Sequence, residues 1–451
     1  MEVRENALEK ATKVRWGILA CIVMVTVLTY LDRLNLSIAG KYIQDELALD
    51  TRVMGWIFSA FLLGYAAFQI PGGWAGDRYG PKNILTGAIL LWSLFTAMTG
   101  LAPAMGLTRW LGIAGSFMAV RFLVGVGEAA NSPNANKIVA NWIGSDHRGF
   151  GSSFTVLGIG LGGVLTPPLI AAIMQHWGWR SSFYVSGLLG LFAVLIWEWY
   201  VTNTPEEHSQ INAEELRIIR GGQEGKRKNN GEHRRPPWKK ILSNRSTWGV
   251  ILGYLCQGFP IYFYHTWFFI YLIRIRHLSI TQGGFWGATP YIAIATLAPF
   301  GGWFSDLAAR QFGKRLGRRL AVCLGMFTSA ILLWLGGAAS SKTTAIALLA
   351  LAAGFNMFAA TTFWATCIDL TEEFTGSLSG LMNTFGNLGG WLSPIVSAYV
   401  ATHFSWNRAL DCASVVSIAS GLFFLLVRAD TKVDQVTKTE LHEAKSVIAT
   451  A

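Results

Sequence analysis

Apolar positions gather in twelve long runs separated by short polar breaks, at approximately 16–38, 53–74, 83–104, 112–141, 150–174, 181–203, 247–273, 282–304, 319–338, 344–368, 376–401 and 408–427. An α-helix advances about 1.5 Å per residue, so runs near 20 residues long predict helices that cross a hydrocarbon layer about 30 Å thick. One long polar insert divides the runs six and six. The chain therefore reads as a first bundle over 1–203, a linker over 204–245, a second bundle over 246–430 and a tail over 431–451. The halves also share landmarks. Gly72-Gly73-Trp74-Ala75-Gly76-Asp77 returns 229 positions later as Gly301-Gly302-Trp303-Phe304-Ser305-Asp306, and Leu161-Gly162-Gly163 with Pro167 returns 227 positions later as Leu388-Gly389-Gly390 with Pro394. Repetition of a six-helix unit in parallel predicts two pseudo-symmetric bundles with a binding site near mid-membrane between them.

Composition agrees with the pattern: 52% of the 451 residues are apolar and 14% charged, which excludes an ordinary water-soluble enzyme. The first run is longer than the apolar core of a signal peptide and has no small-residue cleavage site before it, so it is expected to be retained. The formal charge of +11 at first suggests nucleic acid. Most of the 37 Lys and Arg fall, however, in the segments that are cytoplasmic if the N-terminus is, with a peak between Arg217 and Arg245 that includes Lys226-Arg227-Lys228 and Arg234-Arg235. Membrane orientation and anionic lipid account for that distribution, and both termini are expected in the cytoplasm. The cysteines Cys21, Cys256, Cys323, Cys367 and Cys412 all sit in apolar runs without Cys-x-x-Cys or His spacing, so no disulfide framework and no metal site are expected.

Gly73-x-x-x-Asp77-Arg78-x-Gly80-x-Lys82, between the second and third runs, resembles the loop signature of the major facilitator superfamily. Within it, Thr29-Tyr30-Leu31-Asp32-Arg33-Leu34-Asn35-Leu36-Ser37 and Arg121-Phe122-Leu123-Val124-Gly125-Val126-Gly127-Glu128-Ala129 look like helices one and four of the anion:cation symporter family. The resemblance implies an all-α integral membrane protein of the major facilitator fold, working as a monomer, with a proton as coupling ion and no cofactor. It further implies uptake of a small organic anion across a bacterial inner membrane, with sugar acids (hexuronates, aldonates, aldarates) the first candidates. The signature makes Asp77, Arg78, Lys82 and the repeat's Asp306 the expected gate, Asp77 pairing with basic groups of the other half.

Asp32, Arg33, Arg121 and Glu128 fall well inside their runs, where an unpaired charge costs about 2.5 kcal/mol or more. Arg121 and Glu128 are seven apart and share a helix face, while the neighbours Asp32 and Arg33 diverge by about 100°. Each then needs a partner on another helix, and the proposed pairs are Asp32 with Arg121 and Glu128 with Arg33. A carboxylate that loses its Arg to a substrate anion in a dry cavity takes up a proton, so Asp32 and Glu128 are the coupling candidates and Arg33 and Arg121 the anion-binding ones.

Tyr30, Tyr65 and His265 are further substrate candidates, as are Thr361, Trp364, Asn383 and Asn387 in the second half; packing or interhelical bonding explains the others equally well and a hydrogen-bonded structural role explains His265 better. Asp369 and Glu198, near predicted helix ends, are given no role. Several sugar-acid carriers of the resembled family place a Gln on helix five where aligning Phe154-Thr155 puts Gly158. That weakens the sugar-acid reading and leaves an aromatic or other monocarboxylate, or anion exchange, as alternatives. Gly158-x-Gly160-x-x-Gly163 fits a dinucleotide fingerprint only literally, since it lies inside an apolar run with no preceding strand. No Gly-Lys-Ser/Thr phosphate cradle is present, so ATP-driven transport is not expected either.

Overall fold

The computed structural model describes residues 10–143, 148–221, 238–371 and 374–432. The first half comprises α1 (Val14–Leu47), α2 (Thr51–Tyr79), α3 (Pro81–Leu101), α4 (Thr108–Ala129) continued by α5 (Asn131–Trp142), and α6 (Arg148–Tyr200). Two short helices follow, α7 (Ala213–Gly221) and α8 (Trp238–Ser243). The second half comprises α9 (Arg245–Thr266) continued by α10 (Phe268–Arg274), α11 (Ile280–Gly287) leading into α12 (Thr289–Ala338), α13 (Lys342–Leu370), α14 (Thr375–His403) and α15 (Trp406–Phe424).

Two of these helices fold back on themselves. Gly178 in α6 and Gly313 in α12 have φ of 75° and 78°, a conformation open to glycine at little cost, and each ends one membrane pass and starts the next. Six passes therefore precede Tyr200 and six follow Arg245, one for each apolar run. The burial pattern suits lipid rather than water: Ile70, Leu188, Leu195 and Ile331 are more than half exposed, a pattern that a soluble surface would hide.

Close backbone approach fixes the helix contacts. A Cβ added at Gly158 would lie 2.6 Å from Thr26 Cβ and 3.0 Å from the Val23 carbonyl oxygen, so this position is where α6 rests on α1. It does not face a cavity. The missing Gln at Gly158 consequently says nothing about substrate, and the weakening of the sugar-acid reading drawn from it is withdrawn.

The opening of the 204–245 segment packs on the first bundle. Ile219 is fully buried in its core, and the buried Glu215 carboxylate accepts from Thr12 Oγ1 at 2.5 Å and from the backbone N–H of Val14 and Arg15 at 3.1 Å each. That carboxylate caps the start of α1, where a helix favours negative charge. The basic groups Lys226-Arg227-Lys228 and Arg234-Arg235, and the tail from 433 onward, lie outside the described residues.

The halves meet along three seams. Ser59 Oγ of α2 donates to the Trp391 carbonyl of α14 at 2.8 Å, Ser37 Oγ of α1 donates to the Thr266 carbonyl of α9 at 2.7 Å, and Thr281 Oγ1 of α11 donates to Gln175 Oε1 of α6 at 2.8 Å. At one end Arg274 Nη2 reaches Asp45 Oδ1 at 2.7 Å, the one ion pair between the halves among the described residues. Toward the other end, which carries Asp77 and Asp306, the last such bond among the described residues is a long one from Asn383 Nδ2 to Gln69 Oε1, 3.4 Å.

Candidate functional site

Where the halves face each other near mid-length, a narrow cavity is lined by Arg33, Phe58, Phe61, Leu62, Arg121, Tyr262, His265 and Thr266. Its charged wall comes from α1 and α4. Arg33 Nε donates to Glu128 Oε2 at 2.7 Å, with the Glu128 side chain fully buried, so one of the two expected pairs is present. The guanidinium of Arg33 also faces three rings, its Cζ 4.7 Å from the centroid of Tyr65, 5.3 Å from Phe61 and 5.6 Å from Tyr30.

The other expected pair is absent. Asp32 and Arg121 are both buried at 2% exposure, yet no ion pair joins them, and Asp32 Oδ1 and Arg121 Nε and Nη1 have no hydrogen-bond partner. The turn between neighbours on α1 supplies the reason: with Arg33 directed at the cavity, Asp32 is turned into the bundle, beside Thr96 of α3. Arg121 instead lies against the Phe61 ring, Cζ 5.0 Å from the centroid. Two guanidiniums thus share one aromatic ring, and one of them has unused donors.

The second half supplies aromatic and amide groups. His265, in α9, stands among the rings of Tyr262, Tyr30 and Tyr291 at centroid distances of 5.2, 5.8 and 5.8 Å. Its Nδ1 and the Tyr291 hydroxyl are buried without partners. Asn387 Oδ1 accepts from the Tyr262 hydroxyl at 3.4 Å, and its Nδ2 is left unpartnered. Tyr30, Tyr65, His265 and Asn387 therefore gather with Arg33 and Arg121. The Tyr65 hydroxyl shares a 3.2 Å hydrogen bond with Ser132.

Other candidates lie elsewhere. Thr361 donates its hydroxyl to the Phe358 carbonyl one turn back, at 2.9 Å, and faces Gly302 of α12, so it serves packing inside the second half. Asn383 ties α14 to Gln69 of α2 instead of lining the cavity. Trp364 donates to the Tyr254 hydroxyl at 3.0 Å, is 43% exposed and is not among the lining residues.

Asp77 pairs within its own half, contrary to the expectation for it, and Lys82 and Asp306 likewise pair within theirs. Asp77 Oδ1 accepts from Lys137 Nζ of α5 at 2.5 Å, Lys82 Nζ reaches Glu198 Oε2 of α6 at 2.6 Å, and Asp306 Oδ1 accepts from Arg318 Nη1 at 2.7 Å. Arg78 lies against Trp74 and Tyr79. The halves are latched at the Asp45 end, so at the Asp77 end each loop's charges are satisfied locally. Asp369 and Glu198, given no role from sequence, are members of these networks: Asp369 is 8% exposed and accepts from both Arg318 Nε at 2.9 Å and Lys314 Nζ at 2.7 Å. Sequence reasoning missed Phe61, Tyr262, Tyr291, Lys137 and Arg318. Two of these carried a signal: Lys137 is a charge inside the run 112–141, and Arg318 is one at the start of the run 319–338.

Residues 22–394 match the Major Facilitator Superfamily, and residues 277–450 match it again. The chain belongs to the major facilitator superfamily. It is a membrane transporter and not an enzyme. Among curated proteins it is similar to a probable galactarate/D-glucarate transporter of Bacillus subtilis (strain 168), 34% identical over 428 residues that cover 93% of this chain and 92% of that one. A probable sulfoacetate transporter of Cupriavidus necator is 30% identical over 394 residues, 87% of this chain and 89% of that one. Among solved structures, a bacterial homolog of the human lysosomal transporter Spinster superposes with a TM-score of 0.75 at 16% identity, covering 92% and 97% of the two chains. A D-xylose-proton symporter does so with a TM-score of 0.73 at 16% identity, covering 94% and 100%. These two likenesses bear on the fold alone.

Proposed function

We propose that this transporter couples proton entry to the uptake of a small organic dianion, a sugar diacid such as galactarate or D-glucarate. The observation that carries the reading is the buried Arg33–Glu128 pair beside Arg121, whose Nε and Nη1 are unused. A substrate carboxylate bonds Arg33 through its planar fork and so displaces Glu128. A displaced carboxylate in a dry site is stable only when protonated, so cargo and proton enter together. The second acid group of the substrate then has Arg121, and its hydroxyls have Tyr291, His265 and Asn387. The relatives named for galactarate/D-glucarate and for sulfoacetate support two anchoring points, since all three anions carry two acid groups.

On the same reading the Asp77 end faces the cytoplasm of a bacterial cell, both termini lie there, the membrane is the inner one, and the monomer is the working unit. The bundles rock about the site, and release of the Asp45–Arg274 latch opens it to the outside.

Proteoliposomes holding the purified protein test this. With an inward proton gradient and no internal substrate, galactarate or D-glucarate should accumulate above its external concentration, and benzoate should not. Uptake that requires substrate on the far side would make the protein an exchanger. Accumulation of benzoate but of neither diacid would refute the substrate class.

A further inference from the structure

A second cavity, sharing no lining residue with this site, lies on the seam between the second pass of α12 and α15. It measures about 530 Å³, within the range of small-ligand pockets of about 300–1,000 Å³, and is lined by Phe327, Ala330, Ile331, Trp334, Ser414 and Ile418. The lining is apolar apart from Ser414, whose hydroxyl is used up in a 2.7 Å bond to the Ala330 carbonyl. Ile331, Trp334 and Ile418 are exposed at 57, 55 and 41%, so the groove opens to the bilayer.

A cluster of arginines marks the end of the same seam. Arg319 Nε donates to the Val427 carbonyl at 2.9 Å, and Cys323 Sγ to the Gly421 carbonyl at 3.8 Å. With the Ser414 bond, these trace the line where α12 meets the end of the chain's last pass. Arg315 and Arg428 lie within electrostatic range of Arg319, with Asp430 the single acid acting on it. Arg315 and Arg428 are exposed, Arg319 partly so. Eight residues of helix separate Arg319 from Phe327, about 12 Å, within the depth of one leaflet, about half of a 30 Å core. Surplus positive charge at the surface and an apolar groove beginning one leaflet's depth below it fit the two ends of one molecule, and basic pockets between membrane helices are known sites for anionic headgroups.

We propose that this seam binds an anionic phospholipid, its phosphate on Arg315, Arg319 and Arg428 and one acyl chain in the groove between Phe327 and Trp334. Arg319 is already oriented by Val427, so the headgroup meets a fixed cation, and the chain covers side chains that otherwise leave a void between two helices.

Native mass spectrometry of the full chain in detergent, titrated with phosphatidylglycerol and with phosphatidylcholine of the same chains, tests the proposal. A single phosphatidylglycerol should bind at least tenfold more tightly than phosphatidylcholine. The double variant Arg315→Gln/Arg428→Gln, which keeps the Arg319–Val427 bond, should lose that preference, and Ile418→Trp should weaken both lipids by filling the groove. Thermal melting confirms that the variants are folded. Equal binding of the two lipids, a preference that survives the double variant, or displacement of the lipid by millimolar inorganic phosphate with Ile418→Trp having no effect would each overturn it.

Discussion

Arg33 and Arg121 lie on the same aromatic ring, their guanidinium carbons 5.3 and 5.0 Å from the centroid of Phe61. The ring's electron-rich face stabilises both cations in a cavity where Glu128 makes the ion-pair contact with Arg33 and Asp32 acts on Arg121 only from beyond ion-pair distance. Each such contact contributes about 0.5–1 kcal/mol, more when desolvated. Phe61→Leu removes the ring and keeps most of the volume. It should raise the KM for a dianion about three- to tenfold and lower the melting temperature by a few degrees, since two ring contacts and part of a buried side chain are lost; initial-rate uptake and a melting curve measure the two.

Tyr291 keeps a buried hydroxyl without a partner, an arrangement that costs about 1–3 kcal/mol unless a ligand satisfies it. Tyr291→Phe should therefore leave the ligand-free protein as stable as before or more so. It should also weaken binding of a hydroxylated diacid about two- to tenfold while sparing an unhydroxylated diacid of the same length. Melting-temperature shifts with the two ligands provide the comparison, since binding to the folded state raises apparent stability.

The repeated loops predict unequal stability effects. The Arg318 side chain is 9% exposed and holds the Asp369 side chain, 8% exposed, as well as Asp306; removing one partner of a buried pair typically costs about 3–5 kcal/mol. The Asp77–Lys137 pair has side chains 72 and 32% exposed, and exposed pairs are worth about 0–1 kcal/mol. Arg318→Gln should lower the melting temperature sharply and Lys137→Gln barely, under identical detergent conditions.

The latch at the other end has a defined pH behaviour. Asp45 lies on the part of α1 beyond its apolar run; burial raises its carboxyl, but hydrogen bonds from Lys41 and Arg274 outweigh that and hold it below the usual carboxylate value. A lowered value means that the latch is fully formed above the ordinary carboxylate range, about pH 4, and is lost only as pH falls through the lowered one. Between pH 5 and 8 the latch should be constant. Asp45→Asn should speed thiol labelling of a Cys placed at Ser37 by the same factor at pH 5.5 and at pH 8. A wild-type labelling rate that varies across that window and ceases to do so in Asp45→Asn would contradict this.

The passes were legible because a run of about 20 apolar residues has few alternatives to crossing lipid, and the folds in α6 and α12 fall at glycines lying between two runs. Glu128 with Arg33 was legible for a related reason: a charge inside such a run needs a partner, and helix geometry limits the choice. Asp32 with Arg121 was not, because the angle between adjacent residues fixes that Asp32 diverges from Arg33 without saying which helix it meets. The partners of Asp77 and Asp306 depend on which end of the molecule is latched, a property of the conformation and not of the loop signature. Tyr262 and Tyr291 are aromatics among many in apolar runs, and only the packed structure separates those around His265 from the rest.

Glu128→Gln in proteoliposomes tests the central claim, that substrate and proton exchange places on Arg33. Gln keeps the shape of the side chain but fixes it in the neutral state, so exchange of labelled for unlabelled substrate should continue while accumulation driven by a proton gradient disappears. Full accumulation by Glu128→Gln, with its dependence on the gradient unchanged, would contradict the account.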